Sequence, residues 1–254
     1  MRLAPNGASE RDLTDAVEAP KPPLTVADQR LVDRLLVTGP CTWLLGALIL
    51  LLVVYPIAGE SLNWMLLIGI LNSAVLIAGA LASSRTRRTV IIAIGLALPA
   101  LALQWKWVIS RDQDFGLLFI ATLLLFYVFA IGHVVAYVLS PSPVTGNKLH
   151  GAISAYIMIG LFWAFLYKVL DVLVPGSFVN LVEHKLQHSL EWRQFVFFSF
   201  TTLTTTGYGD IVPVKGHAQS AAILEQLAGV LYVAILIARL AGLYQPGSGA
   251  RSHG

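Results

Sequence analysis

Six apolar runs, at about 41–58, 64–82, 89–105, 116–139, 152–174 and 217–242, constrain this chain more than any other feature. Each holds roughly 17–26 residues, and about 20 residues of helix, rising ~1.5 Å apiece, cross a ~30 Å hydrocarbon layer. Charged residues make up only 12% of the chain, about half the share found in soluble domains. One globular core could not hide so much apolar surface. The pattern predicts an all-α membrane protein with six transmembrane helices. Pro99 interrupts the third run, which a membrane helix tolerates when neighbours satisfy the freed carbonyl.

Residues 1–37 read as a cytoplasmic tail ending in an amphipathic lead-in helix. Thr25 and Asp28 resemble a capping box at its start, and Leu31, Leu35 and Leu36 share one face. A four-helix transmembrane unit is expected over 38–140, a second unit over 141–244, and a short tail over 245–254. An even number of crossings puts both ends on one side. That side collects eleven of the 17 Lys and Arg residues, including Arg85, Arg87 and Arg88 in a tight loop with no acid. Both termini are therefore expected in the cytoplasm, with the chain in a cytoplasmic membrane of bacterial type. The scattered basic residues give no patch for nucleic acid. The lone cysteine, Cys41, allows no internal disulfide and reads as a buried thiol.

The connection between the fifth and sixth runs carries the chemistry. Residues 190–206 (LEWRQFVFFSFTTLTTT) are too short and hydroxyl-rich to span a bilayer. Ser189 is placed to cap a helix with Glu191 in its first turn. That helix would run into Thr204-Thr205-Thr206-Gly207-Tyr208-Gly209-Asp210. Such a re-entrant loop survives at membrane depth only when buried in protein or lining a wet path. A dehydrated cation needs a stack of oxygens, and backbone carbonyls supply it when successive ones point the same way. The backbone must then alternate between ordinary and left-handed conformations, which glycine adopts at low cost. Gly207 and Gly209 are spaced for that alternation. The Thr205 hydroxyl adds an oxygen at the inner end, and Asp210 places negative charge near the outer mouth.

TTTGYGD, set between two apolar runs, resembles the selectivity filter of potassium channels, in which T-V-G-Y-G loops from four subunits surround the ion path. The resemblance covers about 152–242. It implies a homotetramer, with K+ as permeant ion, membrane lipid as the surroundings and no cofactor. It implies that carbonyls of Thr205, Thr206, Gly207 and Tyr208 coordinate the ion. It further implies that Tyr208 packs on Phe197 and Phe198 of a pore helix, and that Gly229 sits where relatives often carry a hinge glycine. A packing role for Gly229 is an equal reading. Two positions depart from the family. Thr206 replaces the usual Val or Ile, and Thr201 stands where some members hold a buried carboxylate.

Glu225, about two turns into the sixth run, is a candidate by being an intramembrane carboxylate. It is expected to support the filter by bonding the back of the pore helix near Thr201 or Thr202; a wet interfacial glutamate is the alternative. Lys168 and Asp171, three apart, suggest an ion pair. His184 and His188 would share a helical face and invite zinc or a pH response, although two exposed histidines are the simpler reading. His133 should be satisfied by a neighbour. Residues 115–139 contain no Lys or Arg, so the fourth helix lacks the charges of an arginine-bearing voltage sensor. The sequence favours a potassium-selective channel. A weakly selective or non-conducting channel-like subunit follows, then a multi-span membrane enzyme built on Glu225 and the histidines.

Overall fold

The computed structural model describes residues 39–57, 61–84, 86–110, 113–182 and 190–243. The expected lead-in helix, both tails, Arg85, His184, His188 and Ser189 lie outside the described residues. Among the described residues, seven helices and a small ribbon follow in chain order: α1 (Pro40–Val54), α2 (Leu62–Ser83), α3 (Arg87–Ser110), α4 (Gln113–Val138), α5 (Gly146–Leu173), β1 (Phe178–Asn180), α6 (Trp192–Leu203), β2 (Ile211–Pro213) and α7 (Gly216–Leu243).

Five of the helices, α2, α3, α4, α5 and α7, are long and apolar enough to cross a membrane. The first expected crossing comes out shorter. Helix α1 has 15 residues, about 22 Å of rise against a ~30 Å layer. Pro40 opens it, where a missing N–H costs nothing. It ends just before Tyr55-Pro56, because Pro56 has no N–H to continue the ladder. Pro99 does not break α3, which runs 24 residues through it. The cost is confined to the carbonyl one turn back, at Gly95.

The helices are apolar on all sides, as lipid demands. In α1, Cys41, Leu44, Leu48 and Leu51 face inward, while Trp43 and Val53 lie more than half exposed on the other side at 64% and 55%. Helix α5 is the hub, packing against α1, α4, α6 and α7. Its buried face carries Gly151, Ala152, Ser154, Ala155, Gly160 and Ala164, small residues that let helices approach closely. Thr145 caps its first turn, accepting a bond from Lys148 N at 3.3 Å. Between α2 and α3, Asn72 donates to Gln104 Oε1 at 2.7 Å, and Gln104 Nε2 donates to Gly69 O at 2.6 Å. These amides satisfy one another where no water would. His133 is also satisfied locally, with Nδ1 2.8 Å from Phe129 O.

The ribbon pairs β1 with β2 antiparallel, Val179 opposite Val212. Leu181 N donates to Asp210 O at 2.8 Å and Val214 N to Ser177 O at 3.0 Å. It thus ties the segment after α5 to the segment leaving the 204–210 loop.

Candidate functional site

The site is built on α6, a helix of 12 residues with about 18 Å of rise, too short to cross a bilayer. Its N-cap is Glu191, not Ser189. The Glu191 side chain accepts from the backbone of Gln194, and Gln194 Oε1 accepts from Glu191 N at 2.7 Å, a capping box that satisfies two end groups at once. The Glu191 carboxylate also pairs with Arg193 Nε at 2.6 Å.

Helix α6 lies between α5 and α7. Its face toward α5 is aromatic: Phe198 lies 5.0 Å from Tyr167 and 5.5 Å from Phe178, and Phe195 lies 5.4 Å from Phe178. Phe198 was expected beside Tyr208 and is turned away, since neighbouring positions on a helix point about 100° apart. Phe197 alone of the two meets Tyr208, stacked at 5.8 Å between centroids with an interplanar angle of 8°.

Beyond Leu203 the chain doubles back on the end of α6. Thr205 N donates to Thr202 O at 3.0 Å, Thr206 N to Thr201 O at 2.9 Å and Gly207 N to Thr201 O at 3.1 Å. The α6 carbonyls that a helix end leaves orphaned are thereby used. The φ angles of Thr205, Gly207 and Gly209 are 58°, 54° and 82°, and Thr206 and Tyr208 between them are not positive. Alternation of this kind turns successive carbonyls the same way. Thr205 is the surprise, because an L side chain there costs about 1–2 kcal/mol; the neighbouring N–H bonds hold it. Among the described residues, the carbonyls of Thr205, Thr206, Gly207 and Tyr208 accept no hydrogen bond, and neither does the Thr205 hydroxyl take part in one. The Thr206 hydroxyl is engaged, 2.9 Å from Thr204 Oγ1, which also bonds Phe200 O at 2.7 Å. The negative end of the α6 dipole adds to the same point.

Glu225 is fully buried, at 0% exposure. It does not reach Thr201 or Thr202. Ser199 Oγ lies 2.5 Å from Glu225 Oε1, and the Tyr167 hydroxyl donates to Oε2. The reason is register: Ser199 and Thr202 are on the buried side of α6, but Ser199 stands level with Glu225 and Tyr167. Thr201 instead bonds Phe198 O at 2.9 Å. Ser199 Oγ also reaches Gly160 O at 2.6 Å, so α5, α6 and α7 meet at one hydroxyl and one carboxyl. The wet glutamate of the alternative reading is absent. A small hydroxyl in an aromatic run was the available signal for Ser199, and sequence reasoning passed over it. Tyr167, one of several aromatics in its helix, carried no such signal.

Gly229 is buried inside an unbroken α7. A Cβ there would collide with the Leu203 carbonyl oxygen and lie 2.9 Å from Leu203 Cδ1. Tyr156 OH, from α5, approaches the same carbonyl at 3.5 Å. Lys168 and Asp171 do not form the expected ion pair among the described residues. Lys168 Nζ donates to Leu190 O at 3.2 Å, while buried Asp171 takes bonds from the backbones of Leu190, Ser177 and Gly176. The two side chains bracket the Leu190 peptide, at the foot of α6. Among the described residues no three His, Cys, Asp or Glu side chains group as a metal site.

A 12-residue helix, a loop of unbonded carbonyls and two flanking helices of membrane-spanning length meet here. Residues 156–245 match a family model described as an ion channel. Over that stretch the chain is similar to an ion channel domain. That similarity and the five helices of membrane-spanning length support an integral membrane protein. No curated protein and no solved structure matches the chain.

Proposed function

We propose that this chain is one subunit of a homotetrameric potassium channel that conducts K+ passively. The observation that carries the reading is the run of four carbonyls, Thr205 to Tyr208, left without partners by a backbone of alternating handedness. At membrane depth each unpaired carbonyl costs several kcal/mol, and a dehydrated cation removes that cost. One loop supplies one wall of such a path, so four chains close the ring. The stacked Phe197–Tyr208 pair and the Glu225–Ser199–Tyr167 cluster then hold the wall from behind. In this reading α1 completes six crossings, both termini face the cytoplasm, and α1 to α4 do not sense voltage through arginines in α4.

One observation favours a second reading. The Thr206 hydroxyl, bonded to Thr204 where relatives carry Val or Ile, makes the filter's rear more polar, which fits a weakly selective cation channel. The experiment for the first reading is light scattering on the purified protein followed by K+ efflux from liposomes. A mass of four protomers and K+ efflux support it; a stable monomer or no efflux refutes it.

A further inference from the structure

A cavity of about 610 Å³ lies between the α2–α4 helices and the pore-forming part of the chain. Its volume is in the range of small-molecule sites. Met65, Ile68, Phe119 and Ile120 line one side, and Phe165, Lys168 and Trp192 line the other. The lining is apolar apart from a few groups, and these differ in what they have left to offer. Asn72 and Gln104 are bonded to each other at 2.7 Å. Lys168 uses one hydrogen on Leu190 O and its Nζ lies 5.5 Å from the Phe195 ring centroid; among the described residues no oxygen or nitrogen accepts the other two hydrogens. Trp192 Nε1 is buried against protein beside the Tyr55 ring and does not open into the cavity, so Trp192 contributes only its ring face to the lining. Lys168 and Trp192 lie at the same end, since Phe165, one turn before Lys168, stacks on Trp192 at 4.2 Å. Asp171 attracts Lys168 electrostatically without a direct pair, and backbone amides engage its carboxylate.

Lys168 is thus a cationic donor with hydrogens to spare at the end of an apolar chamber. We propose that the cavity binds a long-chain carboxylate, its head on Lys168 Nζ and its chain among Met65, Ile68, Phe119 and Ile120. A carboxylate accepts from the Lys168 ammonium and matches its charge, and a charge-assisted bond in low dielectric is stronger than a neutral one. The volume suits a single acyl chain, not a two-chain phospholipid. The occupant touches Trp192, the first residue of α6, and is thus placed to bear on the loop that α6 supports. Binding here does not depend on which ion the pore conducts.

The test is photolabelling of the full-length protein in nanodiscs with a stearic acid carrying a mid-chain diazirine, mapped by mass spectrometry. Labels are expected on α2 and α4 at cavity residues, and excess stearate should compete them away. Lys168→Gln should weaken competition about tenfold, the effect of losing one charged bond. Ile120→Trp, which fills the chamber, should abolish labelling while elution on size exclusion stays unchanged. Methyl stearate competing as well as stearate would overturn the proposal. So would labelling by a diazirine phospholipid at the same residues with the same dependence on Lys168, or labels confined to lipid-facing residues such as Ile70 and Ile77.

Discussion

Gly229 of α7 sits against the carbonyl of Leu203, the last residue of α6, with no room for a methyl group between them. The obstacle is backbone, so it cannot rotate aside. Helix α7 therefore fixes the height of the loop that begins at Thr204. Gly229→Ala should push α6 off its seat at about 1–3 kcal/mol per subunit, the usual cost of overpacking. The expected outcome is reduced oligomer yield on size exclusion and lost K+ flux. A hinge predicts otherwise: normal assembly with altered opening. Wild-type assembly of Gly229→Ala would remove the packing account.

Glu225 offers a graded test. Gln in its place keeps an oxygen for Tyr167 and gains an N–H for Ser199, whose hydroxyl then turns wholly to Gly160. Glu225→Gln should assemble and conduct. Glu225→Ala strands the Tyr167 hydroxyl in an apolar setting, costing about 1–3 kcal/mol in each subunit, and should lower the oligomer melting temperature and flux. Equal behaviour of the two variants, both like wild type, would show that the cluster carries no load.

Voltage dependence should be shallow. A charge crossing the membrane field gains about 2.3 kcal/mol per 100 mV, and α4 has no Lys or Arg to move. Arg87 and Arg88 start α3 and do not sit along its length. Neutralising both should leave the open probability against voltage unchanged in planar bilayers. A steep curve abolished by that change would contradict the assignment.

The long apolar runs made the membrane helices legible, because lipid selects for them directly. The shortening of α1 turns on a single missing N–H at Pro56, which run length does not reveal. Three-residue strands at 178–180 and 211–213 are too brief to show alternation, and Pro213 argues against one. Gly207 and Gly209 mark two of the three positive φ angles in the 204–210 loop. The third, at Thr205, is imposed by bonds back to Thr201 and Thr202, and side-chain type gives no hint of it. Likewise, Glu225 stood out as a buried charge, while its partners depended on the register of three helices. The division of labour between Phe197 and Phe198 followed from a helical phase that the aromatic run conceals.

Coordination of K+ by the Thr205–Tyr208 carbonyls is what we propose the loop is for. The most direct measurement is the reversal potential of the purified channel in planar bilayers with K+ on one side and Na+ on the other. Wild type should reverse close to the K+ equilibrium value. Gly207→Ala, whose methyl opposes a φ of 54° at about 1–2 kcal/mol per subunit, should lose that selectivity or the current altogether. A wild-type reversal near zero, or an unchanged selective current from Gly207→Ala, would contradict the account.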